Sequence, residues 1–160
     1  MATNGNSKRN DPYRNFKFKI MWDGKYVAGL SKCSALKKTT EAVDWREAGD
    51  NSVAHRLPAK TSYEPITLEA GITQKNTDFE EWANLVNNYE NNSTTSLENF
   101  RKETITIDVF DLDNKKVLSY AVYDCWVSEY QALPQLDTSG NAVMIQTIKI
   151  ENEGWKRQEL

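Results

Sequence analysis

The sequence predicts a mainly β protein, an antiparallel two-sheet β-barrel or sandwich flanked by one α-helix. Most of the chain between residues 16 and 150 alternates apolar and polar residues, the period of two that half-buried strands show. An Asp-Gly pair separates the first two strand-like stretches, and a single stretch repeats its apolar residues at helical spacing. One helix among about eight strands, joined by turns of hairpin length, is typical of an antiparallel sandwich or barrel.

The first strands follow from alternation and turn chemistry. Residues 16–20 alternate phenylalanine and isoleucine with lysine, which predicts a strand with one solvated face. Asp23-Gly24 comes next, and this dipeptide favours a tight hairpin because both positions accept positive φ. We expect the second strand over 25–36, with Gly29 at a bulge, and the third over 37–46.

Residues 47–62 carry no usable periodicity and predict an extended loop. Connections of this length are uncommon in compact domains unless they have a function or are disordered. The next strand begins after this loop, where Ile66, Leu68 and Ala70 alternate with polar residues.

Only one stretch predicts a helix. Thr77 begins it and Glu80 follows three residues later, the pattern of a capping box. Apolar side chains then recur on a single face at spacings of three and four, and these are Phe79, Trp82, Ala83, Val86 and Tyr89. We expect the helix to end near residues 88–90.

The second half of the chain predicts strands over 104–109, 117–127 and 142–150. The strand over 117–127 has apolar residues on both faces, which indicates that it is covered on both sides. With a polar segment at each end, the chain divides into a flexible tail over 1–11, one barrel domain over 12–156 and a short tail over 157–160.

Composition limits the classes of function. Of the 160 residues, 20 are Lys or Arg and 23 are Asp or Glu, and this near balance argues against a protein whose main task is to grip a nucleic-acid backbone. One histidine, His55, and two cysteines, Cys33 and Cys125, cannot form a closed zinc site. Because no phosphate-binding loop or nucleophile elbow occurs either, we expect no catalytic residue, no metal and no cofactor, and an enzyme is the least favoured class.

Short motifs spread in order over residues 11–156 carry a family resemblance. The most specific are Asp11-Pro12-Tyr13-Arg14-Asn15-Phe16-Lys17-Phe18, Trp22-Asp23-Gly24, Tyr63-Glu64-Pro65-Ile66-Thr67-Leu68-Glu69-Ala70-Gly71, Phe79-Glu80-Glu81-Trp82-Ala83-Asn84, Phe100-Arg101-Lys102, Trp126-Val127-Ser128-Glu129-Tyr130-Gln131-Ala132-Leu133-Pro134, Leu136-Asp137 and Glu151-Asn152-Glu153-Gly154-Trp155. In these motifs the chain resembles the tail tube proteins of contractile phage tails, with the inner-tube subunit of extracellular contractile injection systems as the nearest form.

The resemblance implies a structural subunit. It implies hexameric rings stacked into a hollow tube inside a sheath, and a tube that is propelled through the target envelope to deliver a cargo of effector protein or DNA. The implied partners are further copies of the chain, the sheath protein, and baseplate, tube-initiator and terminator proteins. A tube-initiating or baseplate adaptor protein of the same machine remains an alternative, as does a monomeric β-barrel module that binds a small ligand.

The same interpretation predicts a location. The sequence shows no signal peptide and no stretch of about 20 apolar residues that could span a membrane. We therefore expect synthesis in the bacterial cytoplasm, no stable membrane association of the monomer, and assembly into an injection particle or phage tail that cell lysis releases.

Two sets of residues are candidate contact sites under this interpretation. We hypothesise that the 47–62 loop crosses to an adjacent subunit or ring, with anchors and charged contacts at Val53, Leu57, Pro58, His55, Arg56 and Lys60. A second hypothesis assigns to the lumen the polar row Thr104, Thr106 and Asp108. The plainer alternatives, a loop that meets only solvent and a polar row on the outside of the barrel, stay open.

Overall fold

A computed structural model of the chain describes residues 17–46, 48–49, 55–86 and 100–160. Within these ranges the fold has ten strands and one helix, which confirms the predicted fold class. The elements are β1 Lys17–Trp22, β2 Lys25–Tyr26, β3 Leu30–Cys33, β4 Lys38–Trp45, β5 His55–Tyr63, β6 Ile66–Gly71, α1 Asp78–Val86, β7 Lys102–Phe110, β8 Lys116–Gln131, β9 Ile145–Glu151 and β10 Gly154–Arg157. The predicted 1–11 tail, Val53 and the predicted helix end at 88–90 lie outside the described ranges.

Strand β8 joins the two sheets of the barrel. The first sheet has the order β2-β1-β7-β8, with β10 on the other edge of β8, and the second has the order β8-β9-β6-β3. All pairings are antiparallel. At the change of sheet, Tyr123 pairs with Gly154 and Trp126 pairs with Glu151. Asp124 lies between them with φ 51, an uncommon value for a residue other than glycine, and its backbone bends the strand there.

The tight turn predicted at Asp23-Gly24 is confirmed. Both residues have positive φ, 52 and 78, as a two-residue hairpin loop of the primed type requires. The predicted second strand over 25–36 is wrong in one respect, because it is divided into β2 and β3. Gly29 has φ 77 and forms a turn, not a bulge, and its Cα approaches Asn76 so closely that a Cβ would lie 2.9 Å from Nδ2.

The helix closes one side of the core. Its two large side chains, Phe79 and Trp82, are buried against Trp22 of β1, with the Trp22 and Trp82 ring centroids 4.8 Å apart. The indole of Trp82 also donates to the carbonyl of Phe100 at 3.1 Å. The same core contains the fully buried aliphatic side chains of both sheets, which are Ile20, Ile66, Leu68, Ala70, Ile105, Val122, Ile148 and Ile150.

Thr77 precedes the helix as predicted, but the capping box differs. The carbonyl of Thr77 accepts the first helical hydrogen bond from the Glu81 amide at 2.9 Å. The Thr77 hydroxyl donates to the carboxylate of Glu81 at 3.0 Å, one residue beyond the predicted Glu80. Acidic side chains at this end suit the positive end of the helix dipole, so the helix start is stabilised in either form.

Parts of two predicted irregular segments belong to strands. Residues 55–62 of the predicted 47–62 loop belong to β5, which pairs with β4 to form a separate two-stranded sheet that we call the arm. At the other end, the predicted 157–160 tail begins inside β10, and the Gln158 amide donates to the Ser119 carbonyl at 2.8 Å. The sequence did not predict either strand. Strand prediction depends on residues that alternate between buried and exposed, and neither β5 nor β10 shows this alternation.

Candidate subunit interface

The arm carries its side chains in solvent. Every residue of β4 is exposed, and so is every residue of β5 before Tyr63. The strands pair from Lys38 opposite Tyr63 to Trp45 opposite His55. A two-stranded hairpin with no hydrophobic face covered is at best marginally stable in water. The arm is therefore a structural element whose stabilising contacts are missing within the described part of this chain.

The two faces of the arm differ in polarity. Val43 lies opposite Leu57 and Trp45 opposite His55, so these four side chains share one face, which we call the apolar face of the arm. Three of them remain about half exposed: 51% for Val43, 47% for Trp45 and 52% for Leu57. The Trp45 and His55 rings lie 6.3 Å apart.

The opposite face is more polar. There the Arg56 guanidinium lies 3.5 Å from the Asp44 carboxylate, and both side chains are mostly exposed. Such a surface pair contributes only about 0 to 1 kcal/mol to stability, so it orients the strands more than it stabilises them. Pro58, opposite Ala42, shares this face.

The structure brings five of the six predicted contact residues onto one strand, since His55, Arg56, Leu57, Pro58 and Lys60 all lie in β5. It divides them between the two faces, which the sequence interpretation did not anticipate. Lys60 lies where the register shifts between the Thr40–Thr61 and Ala42–Pro58 pairs. Whether these residues contact another subunit stays a prediction.

Sequence reasoning missed two members of the apolar face, Val43 and Trp45. They lie on β4, which was predicted as a strand but not as part of a contact site. The available signal was their spacing, because Val43, Asp44 and Trp45 alternate as a strand with one apolar side does. A tryptophan in such a position is also typical of the centre of a protein interface.

The three residues of the polar row that was predicted to line the lumen differ in burial. Thr104 is exposed and Thr106 half-buried, but Asp108 has no exposed surface. Prediction of a solvent-facing Asp108 is therefore wrong for this chain. Tyr26 and Lys116 from neighbouring elements cover the Asp108 carboxylate. A buried carboxylate is stable only when it is paired and hydrogen-bonded, and these two side chains are such partners.

The Asp108 carboxylate is well satisfied. It accepts hydrogen bonds from the Ser119 hydroxyl at 2.7 Å and the Tyr26 hydroxyl at 2.9 Å, and the Lys116 ammonium lies 3.3 Å away. The hydrogen bond to Asp108 raises the pKa of Tyr26 above its usual value. Ser119 also links this cluster to the C-terminal segment through Gln158, at 3.2 Å.

Lysine side chains lie beside the polar row. Lys19 pairs with Asp108 in the register of β1 and β7, and its ammonium lies over the rings of Tyr26 and Phe110 at 5.3 and 5.1 Å from their centroids. Lys17, on the same face of β1, donates to the side chain of Asn114 at 3.1 Å. This face is thus more basic than the small polar surface that the sequence predicts.

The two thiols are structural. Burial raises the pKa of Cys33 to about 11 and that of Cys125 to about 12, so both stay protonated at neutral pH and are poor nucleophiles. Among the residues that the structure describes, no three His, Cys, Asp or Glu side chains converge in a way that could hold a metal ion. In the same ranges no helix is both long and apolar enough to cross a membrane.

Comparison with known proteins identifies relatives of this fold. The chain is similar to one in the sheath-tube complex of an extracellular contractile injection system, PVC, in the extended state (16% identity, 100% of each chain covered, TM-score 0.76). It is similar to a chain of the anti-feeding prophage tube terminating cap (18% identity, 94% and 93% covered, TM-score 0.73). Hcp1 from Flavobacterium johnsoniae shares the fold more distantly (17% identity, 89% and 94% covered, TM-score 0.56).

Sequence comparison extends this result from fold to family. No curated protein matches the chain. The family model of the T4-like virus tail tube protein gp19, however, matches residues 14–156, which is most of the sequence. The chain therefore belongs to the T4-like virus tail tube protein gp19 family, and it is a structural protein of the tube type, not an enzyme.

Proposed function

We propose that this chain is the repeating subunit of the inner tube of a contractile injection system or contractile phage tail. Six copies form a ring, and rings stack into a hollow tube inside a sheath. The observation that carries the proposal is the exposed apolar face of the arm, in a chain whose family builds tubes. The arm of one subunit packs on an adjacent subunit or ring.

Burial of the arm supplies a driving force for assembly. Covering apolar surface stabilises a complex by about 25 cal/mol per Å², and Val43, Trp45 and Leu57 present such surface together on one side of a hairpin. We take the partner to be a second copy of the chain. When the arm contacts a different surface of an identical chain, the contact repeats from copy to copy and builds rings or filaments.

The edges of the barrel support lateral contacts. In the described ranges β2 and β3 end the strand order β2-β1-β7-β8-β9-β6-β3. β3 has exposed residues at its centre, Ser31 and Lys32, and its outer edge has no strand beside it within those ranges. Unpaired edges are templates for pairing with another chain, so they suit subunits that join around a ring.

The proposed partners and location follow the solved relatives. Structures of a sheath-tube complex, a baseplate, a tube terminator and a tube terminating cap contain chains of this fold. We assign the same classes of partner to this chain, with effector protein or DNA as cargo. Synthesis in the bacterial cytoplasm and assembly into an extracellular injection particle or phage tail belong to the same proposal.

The polar row gives the proposed lumen surface. Thr104 and Thr106 face outward from the barrel beside the lysines of β1. Small polar side chains there offer a passing cargo no apolar surface to adhere to. The test is labelling of a Thr106→Cys variant in assembled tubes with a reagent too large for the bore. Protection from this reagent, together with reaction of a small one, is expected; rapid reaction with the large reagent places Thr106 outside.

Electron microscopy of the purified protein and of the native particle tests the tube proposal. Tubes with six subunits per ring are expected, and a lasting monomer at high concentration in the presence of preformed tube ends contradicts it. Leu57→Ala is expected to reduce tube formation while leaving the monomer folded. Leu160→Ala removes the same atoms from another exposed position, 70% exposed, and serves as the matched control.

A second candidate within the same machine is a baseplate adaptor or tube cap. The similarity to baseplate, terminator and cap chains, at TM-scores of 0.74, 0.75 and 0.73, is close to that for the tube. Copy number separates the two. A repeating tube subunit is present in many rings of each particle, whereas an adaptor or cap is present in one.

A further inference from the structure

The base of the arm is attached to the turn between β9 and β10. The Asn152 side-chain amide donates to the Glu64 carbonyl at 3.2 Å, and its oxygen accepts from the Gly154 amide at 3.2 Å. Glu64 in turn donates its amide to the Lys37 carbonyl at 3.0 Å, which closes the base of the hairpin. One side chain therefore connects the residues that flank the base of the arm with the β9–β10 turn.

A second contact between the same two parts is aromatic. The ring of Tyr63, at the end of β5, meets the ring of Trp155 edge to face, with centroids 6.1 Å apart and planes at 78°. Trp155 meets Tyr120 of β8 in the same way at 5.9 Å and 79°. Tyr63 is the only residue of the arm that is not exposed, so these rings are where the arm contacts the barrel.

Gly154 leaves the room that Tyr63 occupies. Its φ of 140 is one that residues with a side chain rarely adopt, and an added Cβ would lie 3.2 Å from Cζ of Tyr63. The indole nitrogen of Trp155 is buried, and none of the residues that the structure describes gives it a hydrogen-bond partner. The Trp155 ring is therefore held by its contacts with Tyr63 and Tyr120 and by no hydrogen bond of its own within the described residues.

We propose that Asn152, Gly154 and Trp155 are positioning residues for the arm: together with Tyr63 they set the direction in which it leaves the barrel. This inference rests on the proposed function, in which the arm packs on another copy. A subunit whose arm is already in the docking direction binds more tightly, because the apparent affinity equals the intrinsic affinity multiplied by the competent fraction.

The test measures arm direction and tube growth separately. Spin labels at Arg46→Cys, directly after β4 of the arm, and at Glu129→Cys on β8 report a distance distribution in the unassembled chain. The background is Cys33→Ser, and Cys125 is fully buried. Tyr63→Ala is expected to broaden this distribution and, without labels, to slow seeded tube elongation about tenfold if one arm in about ten then points correctly. Tyr63→Phe keeps the ring and is expected to match the native chain in both measurements.

A second variant keeps the test valid even if Tyr63→Ala does not fold. Asn152→Asp keeps the acceptor for Gly154 but removes the donor to Glu64, and a smaller broadening with a smaller loss of elongation rate is expected. An unchanged distribution in both variants overturns the proposal, and so does a broadened distribution with unchanged elongation. If the native chain forms no tubes at all, the proposed function fails, while the distance measurements still show whether these residues orient the arm.

Discussion

The arm and the barrel use the same strand conformation under opposite conditions. β4 and β7 have eight and nine residues, and each pairs with an antiparallel neighbour through a ladder with one register shift. β7 buries Ile105 and Ile107 in the core, whereas every side chain of β4 is exposed. The barrel thus holds its strands by its own packing, whereas the arm has no comparable cover within the described part of the chain. Under the proposed function, such a subunit folds first and covers the apolar face of the arm on assembly.

The largest contrast is expected between two tryptophans. Trp82→Ala removes a buried ring from the core and is expected to lower the free energy of unfolding of the monomer by about 3 to 5 kcal/mol. Trp45→Ala removes an exposed ring from the arm and is expected to change it by less than about 0.5 kcal/mol while reducing tube formation. Urea unfolding and electron microscopy measure the two effects. Equal destabilisation by both variants contradicts the distinction between arm and barrel.

Two carboxylates, buried Asp108 of the barrel and exposed Asp44 of the arm, allow a second comparison. Asp108→Asn removes the negative charge that Lys116, Ser119 and Tyr26 contact. Because the buried hydrogen bonds are weakened, the free energy of unfolding is expected to fall by about 1 to 3 kcal/mol. Asp44→Asn, which removes the exposed partner of Arg56, is the matched control, and no more than about 1 kcal/mol is expected. Denaturant unfolding of the monomer checks both, and similar losses contradict the predicted difference.

The two thiols, which both lie in the barrel, predict that the free energy of unfolding depends on pH in the alkaline range. Their pKa values rise from the ordinary 9.0 to about 11 for Cys33 and about 12 for Cys125 on folding, because burial disfavours the thiolate. The unfolded chain therefore loses these protons first. The stability that they contribute is fully present below about pH 9 and is lost as pH rises through the folded values.

Unfolding free energies of the monomer measured from pH 8 to pH 11 test this. A decline above pH 9 is expected, and Cys33→Ser is expected to make it shallower because the hydroxyl does not titrate in this range. A decline of the same steepness in the variant excludes Cys33 as a contributor.

The smallest effect is expected at the bend of β8. Asp124 has φ 51, which a glycine adopts more easily, so Asp124→Gly is expected to stabilise the monomer by about 0.5 to 1 kcal/mol. Thermal unfolding measures the change. Thr104→Gly, at an exposed strand position of β7 that pairs regularly with Tyr123, is expected to destabilise by a similar amount. Loss of stability in Asp124→Gly shows that its carboxylate, not its backbone, matters at the bend.

Local features of the fold were predictable because neighbouring residues decide them. The Asp23-Gly24 turn depends on two residues that accept positive φ, and β6 shows its burial directly as alternation between Ile66 and Ala70. The helix start at Thr77 likewise depends on residues within one turn. The resemblance of motifs from residue 11 to residue 156 predicted the family, and the match over 14–156 confirms it.

Contacts between residues far apart in the chain were decided by the tertiary structure. Asp108 is buried because Tyr26, 82 residues away, reaches its carboxylate, and no local pattern distinguishes it from the solvated Thr104. β4 was predicted as a strand, but residues 55–62 of β5 were predicted as part of a loop, because alternation reports one-sided burial and all eight of these residues are exposed in the described part of the chain. By itself the sequence determined the strand-forming stretches, the tight turn and the family; only the packed chain decided which faces are covered and which remain open to a neighbour, because burial is a property of the whole arrangement.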